Sequence, residues 1–269
     1  MRDHSFNEFE HIIISGFPYD HFTDNNKNEI NRIKKFFNDK NKKFIILLLD
    51  TNHSQNKTSS TTQFLPTECI NDFYNTFINM AIKEKDIGLI IKTKKIHIIR
   101  ELKNVNSKIL DLEKNGSCYL VRDPFQRGPS LYASAANLVV STSTFYPSSL
   151  IDCILKKKSG IFLDYANLKS IEKEWYKWGE NKVIFNDSKI LAKKILEFKK
   201  DKLKHSYFGN WNNQKDTLDS YQDNLGSERI GNYFNFLLTG FKQRLSSSEA
   251  IVSANNQFTK NWGKDKILQ

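Results

Sequence analysis

The sequence has few cysteines and no long apolar segment. Its three cysteines, Cys69, Cys118 and Cys153, are odd in number and widely spaced, which favours reduced core thiols over disulfides or a metal site. No apolar run approaches the roughly 18 residues that a membrane-spanning helix needs, and residues 1–10 are polar and acidic where a signal peptide would be basic and then apolar. We therefore expect a cytoplasmic protein with one large domain or two small ones.

Several catalytic motifs are also absent from the sequence. No Gly-x-Gly-x-x-Gly follows the first predicted strand and no Walker-type Gly-Lys-Ser/Thr occurs, so the phosphate loops of dinucleotide oxidoreductases and P-loop hydrolases are missing. The six histidines show no metal-ligand spacing, and no Gly-x-Ser-x-Gly elbow indicates a hydrolase. The sequence therefore predicts neither a bound metal nor a cofactor.

Positive charge is abundant but is not concentrated in one place. The formal net charge is +11, yet the lysines are spread over the whole chain and lie among asparagines, as in residues 25–28. This distribution argues against nucleic acid as a partner, because no basic block interleaved with aromatics is present. Basic surfaces also attract anionic lipid headgroups, so a peripheral contact at the cytoplasmic face of a membrane stays open.

Short apolar runs alternate with segments of helical period, which predicts an α/β fold with a doubly wound parallel sheet. The run 45–49 is apolar at every position, as expected for a strand covered on both faces. The predicted strands are 11–15, 44–49, 88–92, 118–121, 138–141, 160–163 and 182–185. The predicted helices between them are 26–38, 67–85, 97–114, 130–136, 148–158, 168–178 and 188–200.

The end of the chain departs from this alternation. Residues 202–224 form a polar loop, and two extra helices are predicted at 227–241 and 247–262. The predicted organisation is an N-terminal extension over 1–10, a Rossmann-like domain over 11–201, and a loop with a helical pair packed on that domain over 202–269.

Candidate binding residues follow the predicted strands, because ligands of open α/β sheets bind outside the carboxyl ends of the strands. Four hydroxyls, residues 141–144, lie between a strand and a helix; we predict that they contact phosphate, although helix capping explains part of the pattern. Lys92 and Arg122 end other strands and are the predicted charge partners of a diphosphate, unless they are ordinary exposed cations. In and after the polar loop 202–224, Asp223 and Arg229 could hold ribose or sugar hydroxyls, and an ordinary ion pair explains them equally well.

Two parts of the sequence resemble GT-B glycosyltransferases. Residues 136–144, followed by a helix and 160–164, are similar to the donor-site stretch of that fold. The tail resembles that of bacterial surface-carbohydrate (polysaccharide) biosynthesis proteins of this fold, in Gly209-Asn210-Trp211, Leu218-Asp219, Asp223, Ser227-Glu228-Arg229-Ile230-Gly231-Asn232-Tyr233 and Asn261-Trp262-Gly263. The similarity covers residues from about 11 to the end and corresponds to the C-terminal, donor-binding half of such enzymes.

The resemblance implies a metal-independent transferase that moves a sugar from a nucleotide-sugar to a surface glycan or a lipid-linked acceptor. Residues 11–201 would be its nucleotide-sugar-binding domain, with helix dipoles and cations stabilising the departing diphosphate. Carried onto this sequence, and with Arg122 added from the strand-end argument, the donor-binding candidates are Gly16, Lys92, Arg122, Ser141, Thr142, Ser143, Thr144, Asp223, Ser227 and Arg229. No catalytic base is assigned.

The sequence departs from the family pattern in two ways. In the family's C-terminal motif, which corresponds here to Asp223 and residues 227–233, a glycine commonly follows the aspartate. Asn224 follows Asp223 in this sequence, which puts a close approach of the backbone at that point in doubt. Residues 11–18 look like the opening strand of the second domain of such an enzyme. The first domain, which usually supplies acceptor contacts and the base, would then come from a partner chain.

Two other functions stay open beside glycosyl transfer. One is a non-catalytic nucleotide-sugar-binding or scaffold subunit of a polysaccharide pathway. The other is a sugar-nucleotide epimerase of the same fold, for which the candidate bases are Asp50, Asp123 and Asp164.

Overall fold

The computed structural model describes residues 11–18, 26–54, 64–122, 127–144, 147–170 and 173–268. The predicted extension over 1–10 and the candidate base Asp123 lie outside these residues. The chain divides into two compact units. We call Asp20–Asn212 the sheet unit, and Met1–Tyr19 with Asn213–Gln269 the terminal unit.

The secondary structure follows the predicted alternation. The strands are β1 (Ile12–Ile13), β2 (Phe44–Leu49), β3 (His53–Ser54), β4 (Leu65–Pro66), β5 (Ile87–Lys92), β6 (Cys118–Leu120), β7 (Leu138–Ser141), β8 (Gly160–Leu163), β9 (Ile184–Phe185) and β10 (Ile267–Leu268). The α-helices are α1 (Lys27–Asn38), α2 (Thr67–Lys83), α3 (Ile96–Glu101), α4 (Lys103–Lys114), α5 (Pro129–Ala133), α6 (Ser148–Leu155), α7 (Lys173–Gly179), α8 (Ser188–Lys200), α9 (Lys215–Leu218), α10 (Gly226–Lys242) and α11 (Ser247–Trp262).

The sheet unit is built around a six-stranded parallel sheet with the order β6-β5-β2-β7-β8-β9. The chain adds β5 and β6 on one side of β2 and then crosses to add β7, β8 and β9 on the other. This is the 3-2-1-4-5-6 order of the Rossmann fold. The prediction of a doubly wound parallel sheet is therefore confirmed.

Helices cover both faces of this sheet, which explains the uninterrupted apolar run of β2. On one face, Ile46 and Leu48 join a core that includes residues of α2, α4 and α8. On the other face, a side chain added at Gly88 would lie 2.6 Å from the ring of Phe37 in α1. Glycine at this position in β5 therefore lets α1 pack closely on the sheet.

One predicted helix is divided, and the sheet unit has other bounds than the predicted domain 11–201. The segment 97–114 forms α3 and α4, because Leu102 between them takes non-helical dihedral angles, φ −85° and ψ 68°. Residues 202–212 belong to the sheet unit, whereas the predicted domain ends at residue 201. The reason is local: Gly209 bonds through its backbone to Gly160 and Lys182, and the indole of Trp211 donates to the Gly160 carbonyl at 2.8 Å.

In the terminal unit, β1 pairs antiparallel with β10, with Ile12 opposite Leu268 and Ile13 opposite Ile267. The prediction that 11–15 is the first strand of the parallel sheet is therefore wrong, because its backbone partner is a strand near the other end of the sequence. The two predicted extra helices are present as α10 and α11, and Tyr233 donates to Asn255 between them at 2.8 Å. Among the helices of the described ranges, none has the length and apolar character needed to cross a bilayer.

Candidate functional site

A cleft of about 280 Å³ opens at the carboxyl ends of β2, β5 and β7. The connection that leaves β2 leads to β5 on one side, and the connection from β6 returns across the sheet to β7 on the other side of β2, which makes this the topological switch point where doubly wound sheets bind ligands. We call it the switch-point cleft. It is lined by Leu49, Asp50, Thr51, Lys92, Thr93, Lys94, Pro129, Ser141, Thr142, Ser143, Pro147, Ser148 and Ser149.

Strand register brings these residues together. Leu49 of β2 pairs with Lys92 of β5 on one side and with Ser141 of β7 on the other, so the three strands end at the same level. The chain then enters α6 at Ser148 with no side-chain cap and no acidic residue in the first turn. The N–H groups of Leu150 and Ile151 donate to the Pro147 carbonyl, whereas those of Ser148 and Ser149 come before the first bond of the helix and are the donors that the start of α6 offers to the cleft.

Two buried hydroxyls in the cleft have no hydrogen-bond partner. Thr93 is fully buried and Thr142 is 1% exposed, and neither Oγ1 atom makes a hydrogen bond. Buried polar groups in native proteins are nearly always paired, because leaving one unpaired costs about 1–3 kcal/mol. A ligand that accepts hydrogen bonds would satisfy both hydroxyls.

Charged groups of both signs line the cleft. Asp50 accepts a hydrogen bond from the backbone N–H of Lys94 at 2.5 Å and another from the Tyr74 hydroxyl at 2.7 Å. Burial raises the pKa of Asp50 to about 6, although these hydrogen bonds and the charge of Lys92 act in the opposite direction. Burial likewise lowers the pKa of Lys92, and the Asp50 carboxylate opposes that shift. The cleft therefore combines basic side chains with one carboxyl group, that of Asp50, whose pKa is raised by burial.

Only part of the predicted donor set meets in this cleft. Lys92 lines it together with three of the four predicted hydroxyl residues, Ser141, Thr142 and Ser143. Thr144, one residue further, is not among the lining residues. Thr93 and Lys94 line the cleft but were not in the predicted donor set; the signal that could have identified them was their position directly after β5.

Arg122 lies in a different cleft of the sheet unit. This second cleft, about 560 Å³ in volume, is lined by residues of α1, α4 and β6 and contains Arg122 but not Lys92. Both terminal nitrogens of Arg122 donate to the Glu113 carboxylate, at 2.7 and 2.6 Å. The structure therefore separates the two cations that the sequence analysis assigned to one diphosphate.

The other predicted donor residues lie in the terminal unit. Arg229 is buried, donates to both carboxylate oxygens of Asp223 and to the carbonyl of Ser15, and stacks its guanidinium 3.5 Å from the centre of the Tyr221 ring. These hydrogen bonds lower the pKa of Asp223. The pair thus connects the segment before α10 to the chain beside Gly16.

Two residues of this unit, Gly16 and Asn224, have a left-handed backbone conformation. Gly16 has φ 82°, and a side chain there would lie 2.9 Å from the Asp219 carboxylate. Asn224 has φ 66°, in the left-handed region that favours glycine and that asparagine also adopts. Ser227 lies in the first turn of α10. Asn224 therefore supplies a left-handed turn residue directly after Asp223.

The described candidate bases differ in their surroundings. Asp164 accepts hydrogen bonds from the backbone N–H groups of Ala166 and Leu168, at 2.9 and 2.7 Å, and from the Tyr176 hydroxyl. It is buried and holds the turn after β8, whereas Asp50 lines the switch-point cleft. Within the described ranges, no group of three or more His, Cys, Asp or Glu residues is placed to hold a metal ion.

The fold and the cleft define a Rossmann-like domain with a polar, hydroxyl-lined site at its switch point. The sequence matches no protein-family model and no curated protein. The structure is similar to a solved structure of the wall teichoic acid polymerase TagF, with a TM-score of 0.43 and 15% identity over 77% of this chain and 46% of that chain. A single-substitution variant of TagF gives a TM-score of 0.44 and 14% identity over 77% and 47%. This chain therefore spans less than half the length of either.

Proposed function

We propose that the chain binds a nucleotide-sugar by its phosphates in the switch-point cleft and takes part in transferring the sugar to a surface-polysaccharide precursor. The observation that carries the proposal is the convergence of Lys92 with the unpartnered buried hydroxyls of Thr93 and Thr142, in front of the first turn of α6. A basic side chain, hydroxyls and helical N–H groups are the donors that phosphate oxygens accept from proteins.

The volume of the cleft limits how much of the ligand it encloses. Sites for small molecules commonly measure roughly 300–1,000 Å³, and the switch-point cleft, at about 280 Å³, is slightly below this range. We infer that it encloses the diphosphate and the groups next to it. The remainder of the nucleotide-sugar would extend beyond the cleft.

Glycosyl transfer releases a nucleoside diphosphate, so negative charge develops on its phosphate oxygens in the transition state. Lys92, the Thr142 hydroxyl and the α6 N–H groups would stabilise that charge without a metal ion. The acceptor, whether a glycan or a lipid-linked precursor, must also lose a proton to a base. We propose that a partner chain supplies this base and the acceptor contacts, in the cytoplasm or at its membrane surface.

The test is a thermal-shift screen with UDP, GDP, CDP, CMP and their sugar conjugates, since a ligand of the native state raises the melting temperature. One clear hit identifies the base of the donor. Lys92→Met then lowers affinity for that hit at least about tenfold, because hydrogen bonds to charged groups contribute about 1.5–3 kcal/mol. Arg122→Met is the matched control and leaves affinity unchanged, since Arg122 is bound to Glu113 in the second cleft.

Two results would contradict this proposal. The first is the absence of any shift with any ligand in a protein that melts cooperatively. The second is a hit whose affinity falls with Arg122→Met and not with Lys92→Met, which would move the phosphate site to the second cleft.

A second candidate function is a donor-binding subunit without catalysis of its own. The observation in its favour is an apolar stripe on α10, where Phe234, Leu238 and Phe241 are 60%, 57% and 48% exposed. Large apolar side chains repeated along an exposed helix face suit a protein partner. Binding of the donor with neither transfer nor hydrolysis of it by the complex of this chain with its partner would favour this candidate.

A further inference from the structure

One carboxyl group lies in a cleft otherwise suited to anions. Asp50 is the single acidic side chain among the described residues that line the switch-point cleft, and Lys92, Lys94 and five serine or threonine residues with buried or partly buried side chains surround the same space. An ionised carboxylate repels a phosphate bound in the same cleft. The inference drawn from this arrangement rests on the proposed phosphate site.

The groups around Asp50 allow it to be either charged or neutral. The Tyr74 hydroxyl faces it from α2, and the Lys94 N–H and the Lys92 ammonium face it from the end of β5. A hydroxyl can accept as well as donate, so a protonated Asp50 can donate to Tyr74 while it still accepts from the Lys94 N–H. Protonation therefore sacrifices neither contact.

We propose that Asp50 couples phosphate binding in the switch-point cleft to proton uptake by its own carboxylate. The proton comes from solvent and goes to a carboxylate oxygen of Asp50, and no covalent bond of the ligand changes. Without ligand, burial already raises the pKa of Asp50 to about 6, so an arriving dianion acts on a group that titrates close to neutral pH.

The direction and size of the effect follow from linkage. The ligand raises the pKa of Asp50, so affinity is highest below the ligand-free pKa, falls as pH rises through the interval up to the ligand-bound pKa, and is constant above it. A fully water-screened dianion at roughly 6 Å changes the protonation equilibrium of a carboxyl group about tenfold. The total fall in affinity is therefore about tenfold or more.

Sulfate is the probe, because it stays a dianion over the whole range in which Asp50 titrates. Its dissociation constant is measured with the full chain by thermal shift from about pH 5 to about pH 8.5, and proton uptake is measured by calorimetry in buffers of different ionisation enthalpy. We expect the affinity of the unaltered chain to fall about tenfold with rising pH. Asp50→Asn, which keeps the shape and stays neutral, should give a flat profile.

Asp86→Asn is the matched control for loss of one negative charge. Asp86 lies just before β5, at the opposite end of that strand from the cleft, and its ion pair with Lys199 lowers its pKa. This variant should keep the fall in affinity. Tyr74→Phe removes a hydrogen bond that lowers the pKa of Asp50, so it should move the fall to higher pH, which tests the proposal even if Asp50→Asn does not fold.

The outcomes separate this inference from the proposed function. A flat profile in the unaltered chain, or a fall that persists in Asp50→Asn, overturns the proton coupling while the phosphate site stands. Sulfate binding that Lys92→Met does not weaken lies outside the cleft, and no sulfate binding at any pH contradicts the phosphate site itself.

Discussion

Thr142→Val should stabilise the chain and weaken its binding of phosphate. The Thr142 hydroxyl is buried without a hydrogen-bond partner, and valine keeps the β-branched shape and the backbone bond from the Thr142 N–H to the Leu49 carbonyl. Replacing an unsatisfied hydroxyl with a methyl group should raise the free energy of unfolding by about 1 kcal/mol. For a chain of this size that corresponds to about 2–4 °C in melting temperature.

Binding should change in the opposite direction. If the Thr142 hydroxyl donates to a phosphate oxygen, its loss removes about 1.5–3 kcal/mol, which weakens affinity about tenfold to about a hundredfold. Urea denaturation followed by circular dichroism measures the first effect, and thermal shift with pyrophosphate at one fixed pH measures the second.

Thr76→Val is the matched control for this substitution. The Thr76 hydroxyl donates to Ser188 at 3.1 Å, between α2 and α8, so valine there breaks a hydrogen bond that is made. The control should destabilise the chain by about 1 kcal/mol and leave pyrophosphate affinity unchanged. If Thr142→Val destabilises the chain as much as the control does, the Thr142 hydroxyl has a partner in the folded chain and the reasoning is refuted.

Two further predictions concern stability. Asp223→Ala leaves the buried Arg229 guanidinium without its carboxylate and should lower the free energy of unfolding by about 2–3 kcal/mol, a value reduced for the 37% exposure of the Asp223 side chain. The control Glu228→Ala, measured in the same kind of urea titration, should lower it by at most about 0.5 kcal/mol. Trp211→Phe removes the hydrogen bond to Gly160 and should lower the free energy of unfolding of the sheet unit by about 2 kcal/mol, whereas no change would show that residues 202–212 do not anchor to β8.

The fold could be predicted because its signals are local. The apolar run 44–49 identifies a strand buried on both faces from residue types alone, and the same holds for 138–141 and 160–163. The run 11–15 carries the same signal, yet it forms β1 beside β10. Residue types alone do not distinguish a strand of the parallel sheet from β1, because the two differ in which distant segment of the chain pairs with them.

Part of the candidate site could be predicted from the rule that the carboxyl ends of parallel strands lie at the same edge of the sheet. That rule brings Lys92 together with residues 141–143, as the structure shows. It does not separate Arg122 from them, because Arg122 follows an edge strand and its side chain is bound by Glu113 of α4. Which cation pairs with an internal carboxylate depends on side-chain geometry that strand positions do not specify.

The pairing of β1 with β10 has a consequence for the order in which the chain can fold. The terminal unit consists of two segments separated by all of Asp20–Asn212, so the sheet unit is complete before α10, α11 and β10 have been synthesised. Domains generally fold as units while synthesis proceeds. The apolar segment 11–15 therefore has no strand partner until β10 has been synthesised. During that interval its unpaired edge is open to mispairing with other strands.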